Sequence, residues 1–268
     1  MGTISKALDL LNLFASDRAE IGLADFVRLS GRDKATVHRH LTELAENGFL
    51  EQNPESRAYR LGPAVLRLSA LRETLFPMRK LLQPIVAELS QEVGELAHAS
   101  LFQSDIMSPL VHADPLLHGV QVHFDIAEML PLHATSSGLV ALAFSTEAVQ
   151  EKFLSQNLVQ HTPNTICDPE ELRQQIQAIR KYGLCTLAAA FDADVTSVGA
   201  PVFSAGLHVA GALAVAVPSV RVTPSTLTKI GKAVLRHAET ASVAIGGAYP
   251  KTLSPIPDDW AASAPIPA

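Results

Sequence analysis

The most constraining feature of this sequence is the order of local signals between residues 22 and 62. "GLADFVRLS" carries apolar residues at helical spacing, "SGRDK" interrupts the pattern at Gly31, and a second amphipathic segment runs from Lys34 to Asn47. Asp33 is a typical N-cap for this second helix, and Gly48 is a typical C-cap. Two helices joined by a short glycine turn form a helix-turn-helix. The local pattern alone therefore predicts a small helical domain.

A short β-hairpin is predicted immediately after the second helix. The alternating segments "FLEQ" and "AYRL" are separated by "NPESR", whose Asn-Pro pair marks a turn. A hairpin in this place is the wing of a winged helix, and a polar helix followed by a wing is typical of DNA-binding domains. The alternative is a surface helix with ordinary solvated charges. The order and the lengths of these elements favour the winged helix.

Basic residues gather on these two segments, although the chain as a whole is acidic. The chain has 21 Lys and Arg against 27 Asp and Glu, a formal net charge of −6. This charge argues against a non-specific polyanion binder, because phosphate affinity grows with the number of cations placed along the backbone. It leaves room for a specific binder with a small basic face. The residues expected to contact double-stranded DNA are Arg32, Lys34, Thr36, His38, Arg39, Arg57, Tyr59 and Arg60.

Changes in composition divide the chain into four regions. Residues 1–62 are expected to form the winged helix-turn-helix domain, and residues 63–79 a linker helix that is interrupted near Pro77. Residues 80–247 alternate between strand and helix patterns and predict an α+β sensor domain. Residues 248–268 are rich in Pro and Ala and lack periodicity, so they are predicted to form a mobile tail.

Within the sensor domain, five strands and several helices are predicted. "AHASLFQ", "IMSPLVHA", "GVQVHFD", "VTSVGAPVF" and "HVAGALAVAVP" have strand patterns, and "PEELRQQIQAIRKYG" is a helix that ends at Gly183. "SSGLVALAF" and "STEAVQEKFL" are predicted helices, and a long helix that begins near Thr223 closes the domain.

Several segments resemble the IclR family of bacterial transcriptional regulators. "ISKALDLLNLF", "GLADFVRLSGRDKATVHRHLTELAENGFLEQ" and "RAYRLGPAVLRL" are similar to the family's N-terminal domain, with Thr-Val-His-Arg and Tyr-Arg-Leu-Gly as the more specific marks. "LPLHATSSGLVALAF", "IRKYGL" and "VGAPVFSAGLHVAGALAVAVP" are similar to its effector-binding domain. The resemblance covers nearly the whole chain. It implies a GAF- or profilin-like α+β fold for the second domain.

The resemblance also implies a function. A small organic acid or aromatic metabolite is expected to bind the second domain and to control how a dimer, or a dimer of dimers, binds the operator of a catabolic operon. Amides and hydroxyls at the start of a helix suit an anionic head group near Ser136 and Ser137. The residues implied to line the pocket, which could equally be ordinary core, are Val122, Phe124, Ser136, Ser137, Val195, Ser197, Ala214 and Ala216.

This sequence departs from the family in the expected pocket. Residues 187–190 are Leu-Ala-Ala-Ala where relatives usually carry acids, and Leu139 stands where a lysine is common. The loss of charge predicts a more apolar pocket, suited to an aromatic or longer-chain ligand.

Motifs for other classes of protein are weak. His112, His118, His123 and His133 lie near two aspartates, but none has the spacing of a metal motif. Hydrolase, phosphate-loop and dinucleotide motifs are missing, so no catalytic residue, metal or cofactor is predicted. No apolar run reaches the roughly 18 residues of a membrane span, and two separated cysteines suit a reduced cytoplasm. The rival interpretations are a hydrolase-like enzyme that uses the C-terminal domain and a winged helix that binds proteins.

Overall fold

The computed structural model describes residues 2–257 and residue 260, and the chain divides into two compact units between Pro77 and Met78. Each unit has a hydrophobic core of its own. No helix within these residues is long and apolar enough to cross a membrane.

The first unit is a winged helix-turn-helix. Its elements are α1 (Thr3–Leu11), α2 (Leu23–Ser30), α3 (Lys34–Glu46), β1 (Leu50–Gln52), β2 (Tyr59–Leu61) and α4 (Pro63–Leu75). The chain turns between α2 and α3 because Gly31 adopts a left-handed conformation with φ +64°. The helix α3 begins where the Thr36 N–H donates to the Asp33 side chain at 2.9 Å. Both predicted signals are confirmed.

The core of the first unit joins the three helices to the wing. Leu10 of α1, Phe26 of α2, Leu41 of α3 and Leu50 of β1 are fully buried together. By contrast, every residue of α4 is at least partly exposed within this structure, and leucines lie on its surface. Those leucines are Leu66, Leu68, Leu71 and Leu75.

The second unit has the predicted α+β architecture. Its elements are α5 (Met78–Val93), β3 (Leu96–Gln103), β4 (Ile106–Ala113), β5 (Leu130–Pro131), α6 (Ser136–Ala143), α7 (Glu147–Leu154), α8 (Pro169–Tyr182), β6 (Cys185–Ala188), β7 (Val195–Phe203), β8 (Val209–Pro218) and α9 (Pro224–Ala244). The strands form one antiparallel sheet in the order β5-β4-β3-β8-β7-β6. The predicted interruption near Pro77 is present, since α4 ends at Leu75 and α5 begins at Met78.

The sheet lies between two helical layers. On one face α5 and α9 pack through an aliphatic core that includes Leu89, Val198, Leu213 and Val234. On the other face α6, α7 and α8 pack through a second core that includes Leu139 and Leu172. Successive residues of a strand point to opposite faces, so β8 contributes Leu213 to the first core and Ala212 to the second. A cavity opens on the α6 face.

The segment "GVQVHFD", predicted as a strand, is irregular. Residues 119–125 belong to a long loop between β4 and β5, and the free edge of β4 is occupied instead by Leu130 and Pro131 of β5. The alternating residues Val120, Val122 and Phe124 therefore do not belong to a strand. Val122 and Phe124 line a cavity, while Val120 is exposed.

The predicted mobile tail packs on the second unit where the structure describes it. Tyr249, Ile256 and Trp260 lie against the core formed by α5 and α9, and the Tyr249 ring makes an edge contact with Phe203. The Ser254 N–H also donates to the carbonyl of Lys181 at 2.9 Å. Aromatic and aliphatic side chains spaced along a proline-rich stretch can bury apolar area without periodicity. The remainder of the predicted tail, residues 258, 259 and 261–268, lies outside the described residues.

Candidate functional sites

The outer face of α3 is the candidate DNA-reading surface. Lys34, His38 and Arg39 are exposed, and Thr36 is partly exposed. Neither Lys34 nor Arg39 has an ion-pair partner among residues 2–257 and 260. Two exposed, unpaired cations on this helix are free to meet phosphates or guanine edges.

His40 lies on the inner face of α3. It is 1 % exposed and sits among the buried Val37, Leu41 and Leu44. Positions 37, 40, 41 and 44 follow helical periodicity, so the same local rule that identified the apolar stripe also includes His40. Neither ring nitrogen of His40 has a hydrogen-bond partner within the described structure.

The wing carries two exposed arginines. Arg60 of β2 forms an ion pair with Glu51 of β1 at 2.9 Å, and both side chains remain largely in solvent. Arg57 lies in the turn between the strands with a left-handed φ of 58°, and no acidic partner is found for it in the described part of the chain. Exposed pairs contribute little to stability, so Arg60 can exchange Glu51 for a phosphate at low cost.

Two of the predicted DNA contacts also make contacts within the first unit. The Tyr59 side chain is 4 % exposed and packs edge-on against Phe26 in the core. Arg32 is partly buried, pairs with Asp9 at 2.7 Å and donates to the carbonyl of Lys6. It thereby ties α1 to the turn before α3. A pair 23 residues apart in sequence could not be recognised from local spacing.

The second unit contains a cavity of about 700 Å³ on the α6 face of the sheet. Its walls come from the sheet, from the loops on either side of β5, from the start of α6 and from the loops before α8 and before β7. Among the predicted pocket residues, those that line it are Val122, Phe124, Ser136, Ser137, Val195, Ser197 and Ala216. This volume lies within the range of small-molecule sites.

Ala214 is the exception among the predicted lining residues. It pairs with Gly199 in the sheet register and is fully buried, but it is not part of the cavity wall. The first turn of α6 covers this part of the sheet. A Cβ atom placed on Gly199 would lie 2.9 Å from the backbone carbon of Ser136, which shows how closely α6 approaches. Ala214 is therefore a core residue beneath α6.

The start of α6 presents a polar end of the cavity. Thr135 caps the helix, accepts from the Gly138 N–H at 3.1 Å and donates to the carbonyl of Pro131. The Ser137 hydroxyl is engaged locally by donating to Thr135 at 3.3 Å. The Ser136 side chain is 1 % exposed, and its Oγ has no hydrogen-bond partner in the described residues. The first amides of a helix also lack intrahelical acceptors, so this end suits an anion.

An aromatic stack forms another wall. The Phe124 ring packs against two histidines, with its centroid 4.8 Å from that of His98 and 5.2 Å from that of His112. His98 is buried, and desolvation together with the nearby His112 lowers the pKa of its imidazole to about 4. His98 is therefore neutral at neutral pH, and its Nδ1 is 3.0 Å from the Ser100 hydroxyl.

A second polar group of residues lines the cavity and was not predicted as part of it. Its members are His123, Glu128, His133, His161 and Asp192. The rings of His133 and His161 are 5.8 Å apart, and His161 is 5.0 Å from the ring of Phe191. We call this set the carboxylate–histidine cluster. It makes the cavity less apolar than the sequence of residues 187–190 predicts, because Glu128 from the loop before β5 and Asp192 from the loop before β7 enter its wall.

Within this cluster, the pKa values of Glu128 and His133 are shifted in opposite directions. Burial, then the neighbouring carboxylates Asp125 and Asp192, raise the pKa of Glu128, while His123 and His161 partly offset the shift. Burial also lowers the pKa of His133. The cavity wall contains no Lys or Arg among the residues described. No set of three His, Cys, Asp or Glu with metal-binding geometry occurs in that part of the chain either.

A winged helix-turn-helix followed by an α+β unit with an internal cavity is the architecture of a transcriptional regulator. The chain belongs to the IclR family of bacterial transcriptional regulators. Residues 3–54 match the IclR helix-turn-helix domain, and residues 74–243 match the domain described as bacterial transcriptional regulator IclR C-terminal. The predicted family, fold class and regulatory class are confirmed, and the enzyme interpretation is set aside because the homologues are regulators.

Individual relatives are similar to this chain over nearly its full length. The crystal structure of an IclR transcriptional regulator from Silicibacter sp. TM1040 is 42 % identical and superposes with a TM-score of 0.85, covering 95 % of this chain and 100 % of that one. The regulator KipR of Bacillus subtilis is 28 % identical over 247 residues, 91 % of this chain and 97 % of KipR. An IclR homologue from Microbacterium hydrocarbonoxydans, crystallised with 4-hydroxybenzoate, is 25 % identical with a TM-score of 0.70, over 91 % of this chain and 100 % of that one.

Proposed function

We propose that this chain is a ligand-responsive regulator that binds the operator of a catabolic operon through α3 and the β1–β2 wing. The observation that carries the proposal is the presence of exposed, unpaired cations at Lys34, Arg39 and Arg57 in an otherwise acidic protein. Lys34 and Arg39 are assigned to the major groove, with His38 and Thr36 beside them. Arg57 and Arg60 are assigned to phosphates. Chromosomal DNA as the target makes the cytoplasm the expected location.

A dimer is proposed as the DNA-binding form, and pairs of dimers extend it to a tetramer. Ile4 and Leu8 of α1, together with Leu66, Leu71 and Leu75 of α4, are large exposed apolar side chains of the first unit. Exposed apolar side chains in this number favour burial against a second copy. Two copies related by a two-fold axis would present two α3 helices, and the operator would accordingly be a palindrome.

The proposed effector is a small organic acid held in the cavity. Its carboxylate or phenolate is assigned to the start of α6, where Ser136 has an unpartnered hydroxyl and the first helix amides lack acceptors. The 4-hydroxybenzoate in the Microbacterium relative is consistent with an anionic effector for this fold. Phe124 and Val195 supply apolar contacts for the rest of the molecule. The effector changes DNA affinity to the extent that it binds the DNA-competent and DNA-incompetent arrangements differently.

A mobility-shift titration tests the DNA-binding assignment. The probe is the duplex that flanks the chain's own gene, and the proteins are wild type, Arg39→Ala and Lys34→Ala. Each substitution is expected to weaken sequence-specific retardation by about tenfold or more, because each removes a groove or phosphate contact in both copies of the dimer. Retardation of the wild type should also weaken as salt is raised.

Arg173→Ala on α8 is the control, since it removes one partly exposed arginine, paired with Glu151, from the second unit. It should leave retardation unchanged. Wild-type affinity in both α3 variants would show that α3 is not the DNA-reading helix. Absence of specific retardation by the wild type would instead favour a winged helix that binds proteins.

A further inference from the structure

We propose that the effector carries a protonated amine in addition to its anionic group, and that the carboxylate–histidine cluster binds this amine. The effector is then a zwitterion, with its carboxylate at the start of α6 and its ammonium group beside Glu128 and Asp192. The inference rests on the proposed function, because it concerns the effector of the same cavity.

The first argument is the balance of charge in the cluster. Glu128 and Asp192 line the cavity, and Asp125 is close enough to influence Glu128. Neither Glu128 nor Asp192 has an ion-pair partner within residues 2–257 and 260, and the described cavity wall offers no Lys or Arg. Both side chains reach solvent, and desolvation, followed by the charge of Asp125, raises the pKa of Glu128. A cationic group on the ligand would supply a counter-charge to these carboxylates.

The second argument is independent of charge and concerns His133. Its Nε2 lies 2.8 Å from the carbonyl oxygen of Val159, which can only accept a hydrogen bond, so Nε2 carries the proton. Because burial lowers the pKa of His133, the ring is neutral and Nδ1 is an acceptor. The residue is 4 % exposed, it lines the cavity, and Nδ1 has no donor in the described structure. A buried acceptor without a donor costs about 1–3 kcal/mol, which a ligand N–H would recover.

An ammonium group satisfies both requirements. It has three donors and no acceptor, so it can bond to Nδ1 of His133 and to two carboxylates at once. A second carboxylate on the ligand would repel Glu128 and Asp192, and a hydroxyl would leave their charge unbalanced. The start of α6 differs, because it attracts negative charge through its first amides and the Ser136 hydroxyl. The two parts of the site therefore select opposite charges.

Thermal unfolding of the full chain with matched ligands tests the proposal. The probes are the straight-chain ω-amino acids from 4-aminobutanoate to 8-aminooctanoate, each compared with the monocarboxylate and the dicarboxylate of the same chain length. The graded series varies the distance between the ammonium and carboxylate groups of the ligand. At neutral pH, at least one amino acid should raise Tm and bind at least about tenfold more tightly than its matched mono- and dicarboxylate.

Variants identify the residues responsible. Asp192→Asn and Glu128→Gln should each reduce the preference for the amino acid, and the double variant should bind the amino acid no better than the monocarboxylate. Glu170→Gln is the control, because Glu170 is an exposed acid on α8 and not part of the cavity wall. Circular dichroism verifies that each variant is folded before ligand is added.

Two results would overturn the proposal. If the monocarboxylates or dicarboxylates stabilise the wild type as strongly as the amino acids do, the cavity still binds organic acids but the cluster does not select a cation. If no amino acid of the series raises Tm, the zwitterionic effector is wrong. Neither result affects the DNA-binding assignment, which depends on the separate titration with Arg39→Ala and Lys34→Ala.

Discussion

Polar groups without partners occur at the candidate site of each unit, but in opposite surroundings. In the first unit Lys34, Arg39 and Arg57 stand in solvent, whereas in the second unit Ser136 Oγ and His133 Nδ1 are buried in the wall of a cavity. An exposed unpaired cation is solvated and costs folding almost nothing, but a buried unpaired polar atom costs about 1–3 kcal/mol. The proposed DNA-binding face can thus be changed without loss of stability, whereas the unpaired groups of the cavity lower the stability of the fold.

The same contrast separates the arginines within the first unit. Arg32 is partly buried in an ion pair with Asp9, but Arg57 is exposed in the wing turn. One contributes to the fold and the other is available to a ligand. If stability and binding separate in this way, substitutions of the two kinds should affect different measurements.

The largest effect is expected from glycines where another backbone passes closely. A Cβ atom on Gly138 would lie 2.4 Å from the Cα of Leu132, and one on Gly62 would lie 2.4 Å from the carbonyl oxygen of Gly48. Gly138→Ala should lower the free energy of unfolding of the second unit by about 3 kcal/mol, despite the better helix propensity of alanine. Gly62→Ala should damage the first unit to a similar extent.

Separate measurements distinguish the two units. The single tryptophan of the chain, Trp260, packs on the core of the second unit, so its fluorescence reports on that unit. Gly138→Ala should shift the fluorescence transition in denaturant, and Gly62→Ala should abolish DNA retardation without moving it. Gly119→Ala is the control, since nothing lies within 4 Å of the added Cβ. An unchanged transition in Gly138→Ala would contradict the tight packing of α6 on the segment before it.

The next effect is a loss of stability in acid that originates in the cavity. His98 has a pKa of about 4 in the folded protein, below its ordinary value of 6.5, so protons bind the unfolded chain preferentially. The contribution of His98 to the free energy of unfolding is fully present above pH 6.5. It falls by roughly 2–3 kcal/mol as the pH falls towards 4. Denaturant unfolding followed by Trp260 fluorescence across this window measures the decline.

Replacement of His98 checks the origin of the effect. His98→Gln should make the stability of the second unit less dependent on pH between 6.5 and 4, whereas His38→Gln on the exposed face of α3 should not alter it. An equally steep decline in His98→Gln would assign the acid sensitivity to other groups, of which His133 is the next buried imidazole in the wall.

The smallest effects are expected for the two arginines. Arg32→Ala should lower the stability of the first unit by about 1 kcal/mol, because it removes a partly buried ion pair and a bond to a backbone carbonyl. Arg57→Ala should leave stability unchanged but weaken DNA binding and reduce its salt dependence, as expected for the loss of a phosphate contact. Thermal denaturation and retardation at several salt concentrations measure both. If instead Arg32→Ala weakened DNA binding and Arg57→Ala lowered only stability, Arg32 would be the DNA contact and Arg57 would not.

The sequence predicted the first unit well because its signals are local. Gly31, Asp33 and the spacing of Val37, Leu41 and Leu44 act over a few residues, and the observed α3 differs from the predicted span only by its last residue. His40 follows the same local rule and could have been assigned to the core. Tyr59 and Arg32 could not, because their surroundings include Phe26 and Asp9 from other elements.

The cavity was predicted only in part. The family resemblance led to the start of α6 and to strand residues such as Ser197, which do line it. It did not lead to His98, Glu128 or His161, which come from a central strand and two loops. The four histidines between residues 112 and 133 were visible in the sequence, but the structure places them in different surroundings. His123 and His133 line the cavity, His112 packs on Phe124, and His118 lies near Glu95 at 3.8 Å.

Local signals were enough to predict the family, the order of domains and the helix-turn-helix with its wing, because periodicity, caps and turns depend on neighbours along the chain. Which polar residues line the cavity, by contrast, follows from the tertiary fold. The order β5-β4-β3-β8-β7-β6 and the packing of α6 against Gly199 bring residues from 98 to 216 around one cavity. Whether a histidine or a carboxylate there is solvated, paired or left without a partner depends on burial, and burial is a property of the folded chain.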